Sequence, residues 1–426
     1  MEKNCEKYKM YLNILKEELI PAMGCTEPIA LSLAASICRD TLNDEIVSIK
    51  AAICGNIIKN VKSVIVPNTS GLKGIEAAIA AGVIAGKSEL KLEVLSLVSQ
   101  KEKEEISEFI KKKNIKIVPA TCDKTFYIEV EIEGKNHSAS VTIEDSHTNI
   151  TKIIKDKKTL FSQNEKSDLD IEMITDRKCL NVKDIVEFAD IVDLSDIKEI
   201  ISRQIDFNKA ISEEGLKNHW GAQIGRILLS DGDNSIATRA RAAAAAGSDA
   251  RMSGCEMPVV IVSGSGNQGI TASIPVIVYA KELNSTSERL YKALVISNLI
   301  SIYQKTGIGQ LSAFCGAVCA GCGAAAGIAY LYGDGYDVIK HTIVNTLAIT
   351  SGMVCDGAKA SCAAKISSAV DAGILGYRMY KEGQQFYSGD GVVGDSVDHT
   401  IENIGRVARD GMKETDREII NIMTGN

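Results

Sequence analysis

The chain has 426 residues, 45% hydrophobic and 24% charged, with 48 Lys and Arg against 55 Asp and Glu for a formal net charge of −7. That length calls for two domains, or three, rather than one small core. The acidic balance excludes a dominant basic stripe, so no nucleic-acid partner is expected.

In chain order, residues 4–44 read as two helices. The first ends near Pro21, and the second runs through EPIALSLAASICRDTL with apolar positions at helical spacing. Between them lies PAMGCTEP, residues 21–28, a turn rich in breakers. The opening segment MEKNCEKYKMYLNILKEEL is charged and lacks the apolar run of a signal peptide. A cytoplasmic location with reduced thiols is therefore expected.

Residues 45–165 change character. EIVSIKAAICG, VKSVIVP, LKLEVLSLVS, IKIVPA, TFYIEVEIEG and HSASVTIED are β-branched runs that predict about six strands. Helical patterns over Gly71–Ala85 and Glu102–Lys113 lie among them. FYIEVEIEGKNHSASVTIE predicts a hairpin turning at Gly134-Lys135-Asn136. Residues 165–204 read as a charged connector with a helix or two, and from about 205 onward the pattern is helical. The lysine runs at 111–113 and 155–158 read as solvated faces. Met257–Ala280 and Ile308–Gly333 carry no charge, but Gly, Ser, Asn and Cys interrupt them. They read as buried segments, and no membrane partner is expected. The expected fold class is α+β: a mostly helical catalytic domain from 1–44 and 201–426, with an α+β domain inserted at 45–200.

Twelve cysteines without an export signal point to metal or catalytic use of some of them. Cys315, Cys319 and Cys322 have the spacing C-x3-C-x2-C, which on a helix puts all three on one face. Cys355 and Cys362 follow within forty residues, in MVCDGAKASC. Thiolates are the usual ligands of iron–sulfur clusters and of structural zinc. The gap from Cys322 to Cys355 is long for a zinc site. The spacing also occurs in radical S-adenosylmethionine enzymes, but there near the start of a barrel, not in an Ala-rich helical region. Gly352 and Gly357 bracket Cys355 and predict a loop or helix end there, with Cys362 in the following helix.

SGSGNQGITASIP, residues 263–275, follows an apolar run and opens a helical pattern. It is a weak nucleotide signal, but its backbone N–H groups suit a carboxylate. A tight connector is the plain alternative. Cys25 in PAMGCTEP is expected at a helix N-terminus, which lowers a thiol pKa; it is a base, a nucleophile, or inert. Arg251 in GSDARMSG is placed to hold a carboxylate in bidentate fashion, or else makes a surface salt bridge. His147 in EDSHTN sits at a strand end without an assigned role.

Five motifs in order, GCTEP, AGSDARMSG, SGSGNQGITASIP, FCGAVCAGCGAAAG and MVCDGAKASC, resemble the L-cysteine desulfidase family over essentially the whole chain. That family is similar to the α-chain of iron–sulfur L-serine dehydratases. The resemblance implies conversion of L-cysteine to pyruvate, ammonia and hydrogen sulfide, with a [4Fe–4S] cluster held by three Cys and one iron left open. Its ligand pattern falls on Cys315, Cys355 and Cys362, with Cys322 as rival for the first and Cys319 not excluded. Its catalytic base falls on Cys25. GSGNQG matches the substrate-facing segment, so Ser265, Asn267 and Gln268, with Arg251, are the implied substrate-binding residues. Two departures stand out: the dehydratases end in a Cys where this sequence reads MTGN, and their second Cys gap is longer than the one here. L-serine dehydration and a non-catalytic iron–sulfur sensor stay open as alternatives, and a homodimer is the expected assembly.

Overall fold

A computed structural model describes residues 1–112, 115–122, 124–163, 175–230, 232–309 and 311–425. The chain opens with α1 (Glu6–Glu18), a short strand β1 (Pro21–Met23) and α2 (Thr26–Leu42). Next come β2 (Ile46–Ile53), α3 (Gly55–Val61), α4 (Gly74–Ala85) and α5 (Gln100–Lys112). Five further strands follow: β3 (Ile115–Pro119), β4 (Tyr127–Gly134), β5 (Ser138–Glu144), β6 (Ile150–Lys155) and β7 (Lys158–Ser162). The rest is helical apart from β8 (Pro258–Val260). Before β8 lie α6 (Val182–Ile191), α7 (Leu194–Lys217), α8 (Ile224–Ser230) and α9 (Ile236–Met252). After it come α10 (Gly266–Glu282), α11 (Ser287–Ile308), α12 (Gly316–Leu331), α13 (Tyr336–Thr350), α14 (Ser361–Lys381), α15 (Val397–Arg406) and α16 (Lys413–Thr424). The fold is α+β and mostly helical, as the sequence predicts.

The large sheet has strand order β3-β2-β4-β5-β6-β7, with β2 and β3 parallel and the other neighbours antiparallel. The predicted hairpin is β4–β5, closed by Gly134 N–H donating to His137 O at 2.8 Å. Its register pairs Ile128 with Ile143, Val130 with Val141 and Ile132 with Ala139, so one face is apolar. α2 packs on β4 and β5, where Cys38 Sγ reaches the carbonyls of Val130 and Ala139. Cys38 is thus a buried packing thiol.

Two predicted strands are absent. VKSVIVP is a loop after α3, tied back by an isolated bridge between Ile65 and Lys73. LKLEVLSLVS is 3₁₀ and turn, broken at Lys91 with φ of 49°. Both bury apolar side chains (Val64, Val66, Leu92, Val94, Leu95) without joining the sheet, so their hydrophobicity mimics a strand. β6 and β7, with exposed lysines, take their places. Lys113 of the predicted helix and residues 165–174 of the connector lie outside the described residues.

The helical layers explain the shortage of aromatics. Ala and Gly let α7, α9, α10, α12 and α14 approach closely. A Cβ on Gly215 would stand 1.9 Å from the Ala246 carbonyl oxygen. Among the described residues no helix is long and apolar enough to cross a membrane. Met257–Ala280 holds β8 and α10, and Ile308–Gly333 holds α12.

Candidate active site

A two-stranded ladder sets the site. β1 pairs antiparallel with β8, Pro21 opposite Val260 and Met23 opposite Pro258. The chain running into Cys25 is thereby held beside the chain running into the glycine-rich loop. Val262 and Ser265 exchange both backbone hydrogen bonds, at 3.1 and 3.0 Å. Between them Ser263 (φ 48°) and Gly264 (φ 74°) form a two-residue turn of the positive-φ kind. Ser265 then caps α10 by accepting from Gln268 N–H. Thr26 Oγ1 donates to Gly264 O at 2.8 Å, locking the start of α2 to this turn.

Gly269 is part of the same motif but serves packing. A Cβ there would lie 1.9 Å from Val260 O. Gly269→Ala is expected to destabilise the protein by about 1–3 kcal/mol through overpacking between α10 and β8. A lowered thermal midpoint checks this; an unchanged one would mean that β8 can retreat freely.

Arg251 ends α9 and is buried. Its guanidinium lies against Gly266, and Nη1 donates to Asn267 Oδ1 at 3.1 Å. It makes no ion pair among the described residues, which removes the surface salt-bridge reading. Its Nε, like Gln268 Oε1 and Asn60 Oδ1, is buried without a partner. Such groups cost free energy unless something polar meets them.

The cysteines separate. Cys315 is the N-cap of α12, Cys355 lies in an extended loop, and Cys362 is the second residue of α14. The bridge Phe314–Val354 brings the first two side by side: Cys315 N–H donates to Met353 O at 3.0 Å and Cys355 N–H to Ala313 O at 2.6 Å. The loop closes on α3 because Gly357 (φ 93°) admits the Lys59 carbonyl where any Cβ would clash at 2.4 Å. Asp356 pairs with Lys359 and Lys365; burial would raise its carboxyl, but the two ammonium groups hold it at about 2. Of Cys315, Cys319 and Cys322, only Cys315 lines the cavity. Cys322 points to the Ile343 carbonyl in α13, and Cys319 faces Lys305.

Cys25, Arg251, Ser265, Asn267, Gln268, Cys315, Cys355 and Cys362 all line one cavity of about 110 Å³; Cys319 and Cys322 do not. Cys25 also packs with Met252 and Cys362 in a small apolar cluster. Cys25 is the N-cap of α2, as expected, yet its thiol is not acidic. Full burial pushes it up to about 12, Arg251 pulls it down and Glu27 raises it. Desolvation outweighs the helix N-terminus here.

Glu27, Asn60 and Lys305 line the same cavity and were not singled out from sequence. Each is one inward polar residue on an otherwise ordinary helix; only Glu27, inside GCTEP, carried a local signal. His147 reaches the site from the loop after β5. Its ring lies where a Cβ on Gly264 would clash at 2.9 Å and sits edge-on to Phe126. Burial lowers its pKa, Glu27 raises it and Arg251 lowers it, so the imidazole is neutral, and Nε2 has no partner.

Lys305 is buried, and no carboxylate pairs with it among the described residues. Its electrostatic neighbours are Cys319, Cys355, Cys315 and Lys59. Burial lowers its pKa, and Lys305→Met in the ligand-free protein is expected to stabilise the fold by about 1–3 kcal/mol, because a buried polar amine without a carboxylate partner is removed. A lower thermal midpoint would show that the fold needs the Lys305 amine.

Among the described residues no three His, Cys, Asp or Glu side chains could hold one metal ion. A [4Fe–4S] cluster is larger than one ion and spreads its ligands. Three thiols lining one cavity, two of them on segments joined by a backbone bridge, fit that demand. Without metal, burial raises Cys315 to about 12 and Cys362 upward, so binding must displace their protons.

A cavity lined by four thiols, an arginine and side-chain amides defines a polar small-molecule site. The family model described as serine dehydratase alpha chain matches residues 89–421. The chain is 55% identical over 423 residues to a UPF0597 protein of Desulfitobacterium hafniense, covering 99% of this chain and 98% of that one. It is 48% identical over 416 residues to a UPF0597 protein of Finegoldia magna, covering 97% and 99%. A UPF0597 protein of Treponema denticola is 43% identical over 424 residues, with 98% of each covered. The chain belongs to the serine dehydratase alpha chain family.

Proposed function

We propose that the protein is a [4Fe–4S]-dependent lyase that eliminates hydrogen sulfide from L-cysteine. The observation that carries the reading is the meeting of Cys25, Arg251, Gln268, Cys315, Cys355 and Cys362 around one cavity. The α-carboxylate of the substrate rests on Arg251, the Gln268 amide and the N-terminus of α10. Cys25, as thiolate, takes the Cα proton as general base. Cys315, Cys355 and Cys362 hold the cluster, which supplies a Lewis acid for the departing sulfur. The products are hydrogen sulfide and aminoacrylate, and water converts the latter to pyruvate and ammonia. His147 and the turn at Ser263–Gly264 back the carboxylate end and keep water out.

The family's description favours a second reading, L-serine dehydration at the same site with water as the leaving group. One anaerobic sample separates the two. Iron and sulfide are measured, then L-cysteine and L-serine are supplied in turn. Sulfide and pyruvate released together from L-cysteine, with a higher kcat/KM than for L-serine, support the desulfidase. The reverse order supports the dehydratase. A loaded protein that turns over neither is an iron–sulfur binding protein.

A further inference from the structure

We infer that Glu27 and Asn60 form the receptor for the substrate's α-ammonium group, making the cavity selective for an α-amino acid over the corresponding thiol acid. The inference rests on the reading that this cavity takes a small amino acid.

Two opposite charges line the cavity and do not meet. Neither Glu27 nor Arg251 takes part in an ion pair among the described residues, although both act electrostatically on Cys25 and on His147. In so small a space, opposite charges collapse onto each other unless the walls hold them apart. Both are held. Arg251 is fixed by Asn267 and by its seat on Gly266. Glu27 Oε1 accepts from Asn60 Nδ2 at 2.9 Å, and Oε2 accepts from Thr26 Oγ1 at 3.1 Å. The single Thr26 hydroxyl proton is shared between this carboxylate and the Gly264 carbonyl, which sets the carboxylate beside the turn that leads into α10. The remaining cation, Lys305, has the thiols as its neighbours.

Asn60 supplies the second, independent sign. It is 6% exposed, lines the cavity, and its Oδ1 has no partner. Its amide nitrogen donates to Glu27, which fixes the orientation of the amide and leaves Oδ1 as a buried acceptor without a partner. An ammonium group offers three donors and no acceptor. A carboxylate and an orphan amide oxygen are the matching receptors. At the other pole Arg251 Nε, a donor, is orphaned too. The two poles match the two charges of an amino-acid zwitterion. A ligand without the amine would leave Glu27 and Asn60 desolvated and unpaired.

The test compares L-cysteine with 3-mercaptopropionate, which keeps thiol and carboxylate but lacks the amine. Cluster-loaded wild type, Glu27→Gln and Asn60→Ala are assayed for KM of L-cysteine and for the inhibition constant of 3-mercaptopropionate. Glu27→Gln is expected to raise the L-cysteine KM about 10- to 100-fold, the range for a charged hydrogen bond. The inhibition constant should stay the same or fall, since a negative charge is removed. Asn60→Ala should move the ratio the same way by a smaller factor. If both ligands weaken equally in the two variants, Glu27 and Asn60 only support the fold and the inference fails while the lyase reading stands. If loaded wild type neither binds nor converts L-cysteine or L-serine, the lyase reading fails and takes the inference with it.

Discussion

Anaerobically reconstituted Cys315→Ala, Cys355→Ala and Cys362→Ala proteins are expected to lose most of their iron and sulfide, while Cys322→Ala keeps the wild-type content. Spacing alone makes Cys315, Cys319 and Cys322 equal candidates. Their surroundings are not equal. Cys322 is fully buried between α12 and α13, its thiol raised by burial and directed at a backbone carbonyl. A cluster there would have to displace packed helix. Cys315 and Cys355 sit on facing backbone segments joined by two hydrogen bonds, and Cys362 opens α14 on the same cavity. Each substitution removes one of the three assigned ligand thiols and leaves Cys25, the fourth thiol lining the cavity, in place. Iron and sulfide analysis with the visible spectrum reads the result, and circular dichroism confirms that the variants fold. Iron lost from Cys322→Ala but kept by Cys362→Ala would overturn the assignment.

Cys25→Ala is expected to keep its cluster and lose about 10²- to 10⁴-fold in kcat, the range for a positioned general base. The iron content separates this from a ligand defect. The thiol also predicts a pH dependence. Burial sets its pKa at about 12. Below that value the thiolate fraction grows about tenfold per pH unit, so kcat/KM should climb from pH 7 to 9. A flat profile, or near-normal turnover by Cys25→Ala, would remove Cys25 from the proton transfer. A small fall confined to KM would leave it as a packing thiol of the cluster formed with Met252 and Cys362.

Periodicity and turn chemistry made much of the fold legible. The 3.6-residue pattern of EPIALSLAASICRDTL became α2, and the alternation on either side of Gly134 became β4–β5. These signals are local, since a repeating face and a tight turn need no knowledge of distant partners. VKSVIVP misled for the same reason: a run of β-branched residues reads alike whether its backbone finds a ladder or a loop buries it. The motifs holding Cys25, Arg251, Gln268, Cys315, Cys355 and Cys362 were likewise visible as unusual residues between breakers.

What the sequence by itself determined is therefore most of the element types, the family and the residues with chemical potential. The tertiary structure decided which of them meet and in what state. Cys322 and Cys315 share one motif, yet only Cys315 opens onto the cavity, because it precedes the helix and pairs across to residues 353–355. Asn60 and Lys305 look like ordinary helix residues until packing turns them inward. The thiol of Cys25 belongs at a helix N-terminus by sequence, where acidity is expected, but burial against Met252 and Cys362 reverses the sign. Desolvation depends on everything that surrounds a group in three dimensions, and no window of sequence contains that.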